Sequence, residues 1–142
     1  MYLVNCRRNY RNYVTVIIVN CHRNYVITRA IANPKESLAL YVQYNGQTVG
    51  LLNAGVGTYY LSEEGKMATV YGVYVSSKIR GSLLGGKVGV KLIRMLTDWA
   101  KSQNAEEIHI HATSGIEAKR TDKFLTRLGF VPYGGNYVGR VG

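Results

Sequence analysis

The amino-acid sequence predicts an α/β fold: a mixed, mostly antiparallel sheet that contains one parallel β-α-β pair and is flanked by helices. Three observations predict it. Asn45-Gly46 is a strong two-residue hairpin signal and divides two apolar, β-prone runs. Ala68 to Val75 (ATVYGVYV) is a long β-branched and aromatic run. A glycine-rich stretch, an amphipathic run and another short β-prone run follow it in the order of a β-α-β unit.

Residues 1 to 36 are the least regular part. Val4-Asn5-Cys6-Arg7-Arg8-Asn9-Tyr10 returns fifteen residues later as Val19-Asn20-Cys21-His22-Arg23-Asn24-Tyr25; two copies are too few for a solenoid, which needs about three. The aliphatic run Val14 to Val19 reads as one buried strand. Ser37 to Tyr44 and Thr48 to Asn53 read as antiparallel strands around the hairpin turn, Gly57 to Leu61 as a further strand, and Ser62-Glu63-Glu64-Gly65 as a turn before Ala68 to Val75. After the glycine-rich segment Arg80 to Gly89, the spacing of Leu92, Ile93, Leu96, Trp99 and Ala100 predicts a helix over Val90 to Ser102. Glu107 to His111 reads as a strand with Ile108 and Ile110 on one face and His109 and His111 on the other. Ala118 to Leu128 reads as a second helix closed by Gly129, and Phe130 to Tyr133 with Tyr137 to Val141 as a final hairpin around Gly134-Gly135-Asn136.

The 142 residues, 46% hydrophobic, suffice for one core without disulfide or metal staples, so residues 1–142 read as one domain with its core in 37–142. Cys6 and Cys21 make neither zinc spacing nor a disulfide frame and read as free thiols in a reducing compartment. No run reaches the roughly 18 apolar residues of a membrane span, and the start lacks the plan of a secretory signal. The expected setting is cytoplasmic. Lys+Arg 18 against Asp+Glu 8 gives a net charge of +10, a surplus that favours an anionic partner. Six of those charges, Arg7, Arg8, Arg11, Arg23, Arg29 and Lys35, stand before the first acid, Glu36. Residues 7–29 therefore read either as a basic arm for nucleic acid or an acidic protein, or as a solvated surface.

A glycine-rich turn between a strand and a helix suits a phosphate for geometric reasons. Successive N–H groups point inward, the helix start carries about half an elementary positive charge, and absent side chains let a pyrophosphate approach. Arg80 and Lys87 stand ready to add ion pairs. No Gly-Lys-Ser/Thr closes the turn, and it does not match G-x-G-x-x-G, which argues against nucleotide hydrolysis and NAD binding. Alone, such a turn also fits a purely structural connection.

The run VYGVYVSSKIRGSLLGGKVGVKLIRMLTDWAKSQNAEEIHIHA, with KRTDKFLTRLGFVPYGG after it, resembles the core of the GNAT N-acetyltransferase family over about residues 37 to 137. The Gly-Gly-Asn-Tyr tail resembles bacteriophage-encoded members. The family's turn pattern is Arg/Gln-x-x-Gly-x-Gly/Ala. Forward from Arg80, Leu83 stands at the first glycine position and Gly85 at the second; backward from Trp99-Ala100, Gly89 takes the last glycine position and the loop is about four residues longer than usual. The resemblance implies acetyl-coenzyme A as cofactor, with contacts from Val73, Val75, Arg80, Gly81, Gly85, Gly86, Lys87, Val88 and Gly89. It also implies that the strand ending at Val75 splays from strand 107 to 111, leaving backbone groups for the pantetheine arm to satisfy.

The reaction so implied is acetyl transfer to a primary amine. Many family members place a Tyr four residues before the glycine of Leu-Gly-Phe to protonate the departing thiolate; here Leu125 stands there, beside Phe124. Tyr133 and Tyr71 are the substitutes, with Tyr137 a further one, although most of the twelve tyrosines must serve packing. His109 and His111 read as a base at the strand end or as surface residues, and no third ligand makes them a metal site. Two other readings stand beside the enzyme: an inactive structural or binding module, such as a phage particle component, and a nucleic-acid module stacking bases on Tyr10, Tyr13 or Tyr25. The acceptor is unidentified by the sequence, and a homodimer is compatible with it.

Overall fold

The structure is a computed structural model that describes residues 15–17, 36–58, 64–111, 117–134 and 140. Residues 1–110 and 111–142 make two units. The first holds strands β1 (Thr15–Ile17), β2 (Ser37–Tyr44), β3 (Gln47–Thr58), β4 (Lys66–Val75) and β5 (Glu107–Ile110) and helix α1 (Leu83–Ser102); the second holds helix α2 (Ala118–Arg127).

The five strands form one sheet in the order β1-β2-β3-β4-β5. Neighbours are antiparallel except β4 and β5, which run parallel with α1 as their crossover. The expected mixed α/β sheet is present. Asn45 (φ 49°) and Gly46 (φ 76°) both occupy the left-handed region, as a tight hairpin of the observed hand requires, and this turn sets the register of β2 on β3.

Strand alternation builds the core. On the face toward α1, Val42, Leu40 and Leu38 of β2 lie opposite Gly50, Leu52 and Ala54 of β3, and Ala54 lies opposite Val70 of β4. Leu38, Leu40, Val42, Leu52, Ala54, Ala68 and Val70 are all buried, and α1 brings Val88, Leu92, Ile93, Leu96 and Ala100 onto them. Gly50 admits the helix: a Cβ there would stand 2.7 Å from Val88 Cγ1 and 3.3 Å from Leu92 Cδ1.

Several expectations need correction. Thr48 to Asn53 and Gly57 to Leu61 are not separate strands, because Gln47 to Thr58 is continuous and pairs along most of its length with β4. Gly55, between the two expected strands, is paired on both sides, with Ser37 and Thr69. The helix expected from Val90 begins at Leu83, so the glycine-rich segment is mostly helix and the connection is short. Ser82 helps explain the early start: its Oγ accepts from Gly85 N–H at 3.1 Å, and this cap together with the burial of Val88 and Gly89 offsets the poor helix propensity of three glycines. Phe130 to Tyr133 is not a strand. Its expected partner, the Asn-Cys-x-Arg-Asn-Tyr echo, Tyr59 to Glu63 and Tyr137 to Gly139 lie outside the described residues.

The strands at Ser37, Lys66 and Glu107 otherwise agree with expectation to within two residues, and Gly129 (φ 91°) closes α2 as expected, its N–H donating to Thr126 O at 3.0 Å. Among the described residues no helix is long and apolar enough to cross a membrane.

Candidate active site

The site begins with a bulge. β3 pairs Asn53 with Gly72 and Ala54 with Val70, so Tyr71 is an extra residue on β4. At the same level the parallel pairing of β4 with β5 stops, its last partners being Val70 and Ile110. Tyr71 to Val75 therefore run on with β3 on one side and, among the described residues, no strand on the other.

Parity then decides which backbone groups face that open edge. Ser76 N–H donates to Val49 O at 2.8 Å, which makes Ser76 and Val49 a hydrogen-bonded antiparallel pair. Such pairs alternate, so Tyr74 and Gly72 also bond to β3, while Val73 and Val75 turn their N–H and C=O away from it. The Val75 carbonyl accepts from Arg80 Nε at 3.1 Å and Nη2 at 3.0 Å, and the same guanidinium lies 5.5 Å from the Tyr74 ring centroid. Arg80, expected to pair with phosphate, is thus turned back onto the strand end.

The turn from Ser76 to Ser82 is tightly closed. Arg80 and Ile79 donate backbone N–H groups to Ser76 O at 2.8 and 3.1 Å, and Ser82 donates through N–H and Oγ to Ile79 O at 3.0 and 2.6 Å. Gly81 sits at φ 95°, a conformation that disfavours side chains. Gly85 is required by space: a Cβ there would collide with the Ile79 carbonyl and stand 3.3 Å from Arg80 Cα. Gly86 has open room around its Cα.

The first helical N–H groups lack intrahelical partners. Gly85 and Gly86 spend theirs on Ser82 Oγ and Ser82 O, whereas among the described residues Gly81, Leu83 and Leu84 make no hydrogen bond through theirs. No acidic residue lies in the first turn of α1, and Lys87 is exposed one turn on. The result is a set of donors at a positive helix end whose own first turn carries no acid.

Of the sequence-predicted residues, the structure brings Val73, Val75, Arg80, Gly81, Gly85, Gly86 and Lys87 to the β4–α1 turn and the helix's first turns. Val88 and Gly89 are buried against the sheet instead. Gly85, Val88, Gly89 and Leu92 are buried on one side of α1, so the key glycines of both registers, Gly85 and Gly89, lie on its packed face.

Tyr71 is exposed (56%), and its ring lies across Gly55 on the face away from α1. His109, paired in register with Thr69, lies on that face too, its Nε2 2.8 Å from a Glu107 carboxylate oxygen. Tyr133 and Leu125 belong to residues 111–142, a unit described by itself; Tyr133 is 87% exposed and Leu125 half-buried in α2. Sequence reasoning missed the bulge, the Ser82 cap and the Glu107–His109 contact. Only the cap had a local signal, a serine before an apolar run. No group of three or more His, Cys, Asp or Glu suited to a metal ion occurs among the described residues.

Comparison with known proteins agrees with this geometry. The family model described as Acetyltransferase (GNAT) family matches residues 14–130. Glucosamine-6-phosphate N-acetyltransferase from Arabidopsis thaliana is similar in structure with a TM-score of 0.63 at 16% identity, over 81% of this chain and 74% of that one. The aminoglycoside-modifying protein AAC(6′)-Iy, solved with a bisubstrate analogue of coenzyme A, gives 0.60 at 14% identity over 84% and 82%. Ribosomal-protein-alanine N-acetyltransferase from Brucella melitensis biovar Abortus 2308 gives 0.57 at 22% identity over 76% and 72%. No curated protein sequence matches significantly. With most of its length matched by the family model and its β4–α1 turn built as described, the chain belongs to the GNAT acetyltransferase family.

Proposed function

We propose that this protein is an N-acetyltransferase that uses acetyl-coenzyme A to acetylate a primary amine. The observation that carries the reading is the end of β4, where Val73 and Val75 face an edge that no strand among the described residues pairs, directly before a turn with three N–H groups unspent among those residues. These features fit coenzyme A. The N–H groups of Gly81, Leu83 and Leu84 suit its phosphates, Lys87 adds charge, and the Val73 backbone with the Val75 N–H suits an amide-bearing arm, the Val75 carbonyl being held by Arg80. A purely structural connection has no use for three unspent donors at a positive helix end. Similar folds are solved with coenzyme A and with a coenzyme A bisubstrate analogue, which supports the same reading.

Bound acetyl-coenzyme A supplies the acetyl thioester. The chain's own work is to hold and orient: the strand edge and the turn fix the reactants, a contribution of roughly 7–11 kcal/mol in favourable cases. Tyr71 Oη, on the bulge where β4 and β5 part, is the better-supported proton donor of the two tyrosines. His109, oriented by Glu107, is the proton acceptor on the same face.

The test is coenzyme A release with glucosamine 6-phosphate, an aminoglycoside and a peptide with N-terminal alanine. At least one is expected to be acetylated. Tyr71→Phe is expected to lower kcat by about 10²–10⁴-fold with little change in acetyl-coenzyme A affinity, whereas a comparable loss confined to Tyr133→Phe would transfer the role to Tyr133. Binding of acetyl-coenzyme A without transfer to any primary amine would favour the inactive binding module.

A further inference from the structure

We propose that Arg80 is a latch on the open edge of β4, whose guanidinium exchanges the Val75 carbonyl for a phosphate of coenzyme A and so releases that carbonyl to an amide N–H of the cofactor's arm. This rests on the N-acetyltransferase reading above. Arg80 lies on the Val75 carbonyl through Nε at 3.1 Å and Nη2 at 3.0 Å. Val75 is one of the two residues whose backbone groups face away from β3, so the guanidinium sits at the strand edge where an amide would pair.

Each partner in this contact has a better-matched alternative. A guanidinium makes its strongest hydrogen bonds with a carboxylate or phosphate, where both sides are charged and parallel N–H···O bonds reach two oxygens. Here two of its nitrogens converge on one neutral oxygen, and among the described residues Arg80 makes no ion pair. A backbone carbonyl at a strand edge is matched by an amide N–H, as in a sheet ladder. The exchange serves both, since the charge goes to an anion and the carbonyl to an amide.

The turn allows this exchange by the movement of one side chain. The backbone at Arg80 is fixed: its N–H donates to Ser76 O at 2.8 Å, and a Cβ on Gly85 would stand 3.3 Å from its Cα. The side chain is exposed, with the Tyr74 ring centroid 5.5 Å from the guanidinium carbon, so it turns without disturbing the core. The next residue, Gly81, offers one of the N–H groups that suit phosphate and has no side chain to stand between. Successive Cα atoms are about 3.8 Å apart, so a phosphate held there is within reach of Arg80. Because one side chain both covers the arm's acceptor and answers to the phosphates, the two halves of the cofactor help each other to bind, and to the same degree.

The test divides the cofactor into ADP, which has phosphates and no arm, and S-acetylpantetheine, which has the arm and no phosphate. Nuclear magnetic resonance titration of the isotope-labelled full chain reads weak affinities and measures each half alone and beside the other, for the wild type and Arg80→Ala, with melting temperature and acetyl-coenzyme A calorimetry alongside. In the wild type each half is expected to tighten the other about five-fold, at the low end of usual coupling between sites. In Arg80→Ala the affinity for S-acetylpantetheine is expected to rise by the same factor of about five, because the factor measures the latch itself. The affinity of that variant for ADP is expected to fall about ten-fold, the worth of one hydrogen bond, and the mutual enhancement to vanish. Independent binding of the two halves to the wild type overturns the proposal, and so does the absence of any saturable shift from S-acetylpantetheine beside ADP. An S-acetylpantetheine affinity unchanged or lowered in folded Arg80→Ala also overturns it and makes Arg80 a fixed brace for β4; if that variant does not fold, the wild-type enhancement decides alone. Uptake of acetyl-coenzyme A without the enhancement refutes this proposal only, whereas a wild type that takes up no acetyl-coenzyme A refutes the transferase reading first.

Discussion

Glycines at the site differ in what they do, and the difference is a matter of single atoms. Gly85 faces the Ile79 carbonyl so closely that a methyl group has no room without moving the turn. Gly86, its neighbour, faces open space, so its cost is only the ordinary helix penalty of roughly 1 kcal/mol relative to Ala. Gly85→Ala is therefore expected to lower stability and to weaken acetyl-coenzyme A binding, whereas Gly86→Ala is expected to stabilise α1 slightly and leave binding intact; urea unfolding and calorimetry on the pair check this. Gly50 presents the same problem from the sheet side, and Gly50→Ala is expected to cost about 1–3 kcal/mol through overpacking against Val88. Arg80 is expected to be intolerant of lysine, since two guanidinium nitrogens hold the Val75 carbonyl and an ammonium cannot reproduce that fork.

At the scale of elements, α1 is positioned by its cap and by its buried stripe together. Ser82→Ala removes the acceptor for Gly85 N–H and the donor to Ile79 O; a loss of about 1 kcal/mol in stability is expected, with far-UV circular dichroism showing fraying of the first turn and calorimetry showing weaker cofactor binding. The sequence made the hairpin, β4 and most of α1 legible, because Asn45-Gly46 and the run from Leu92 to Ala100 carry local signals that the packed structure keeps. It hid the start of α1, where glycines argue locally against a helix that Ser82 and the burial of Val88 and Gly89 enforce. It also hid the unity of β3, since the gap between the strands expected at Asn53 and Gly57 closes only when β2 and β4 are both laid beside it. The bulge at Tyr71 arises only when two strands are paired, so no residue pattern within one strand announces it. Of the candidate site, the turn and the strand edge were legible as a place; which N–H groups remained unspent was not.

Across the molecule, charge and site are separable. Six of the ten net positive charges precede Glu36, and β1, the described strand in that stretch, is divided from β4 by β2 and β3. Replacing Arg7, Arg8 and Arg11 with alanine is therefore expected to leave acetyl-coenzyme A affinity unchanged while reducing any salt-dependent attraction to nucleic acid, an effect read as a shallower dependence of binding on salt. The acceptor, by contrast, is expected on the face of the sheet away from α1, where Tyr71, His109 and Glu107 stand, opposite the aliphatic face that α1 covers. Binding of coenzyme A at the β4–α1 turn is open to calorimetric titration of the full chain with acetyl-coenzyme A, for the wild type and Gly85→Ala side by side. One site is expected, with a Kd on the order of micromolar, in the usual range for enzyme substrates, weakened at least ten-fold by Gly85→Ala. A folded wild type that takes up no acetyl-coenzyme A, or equal affinity in both proteins, would contradict it.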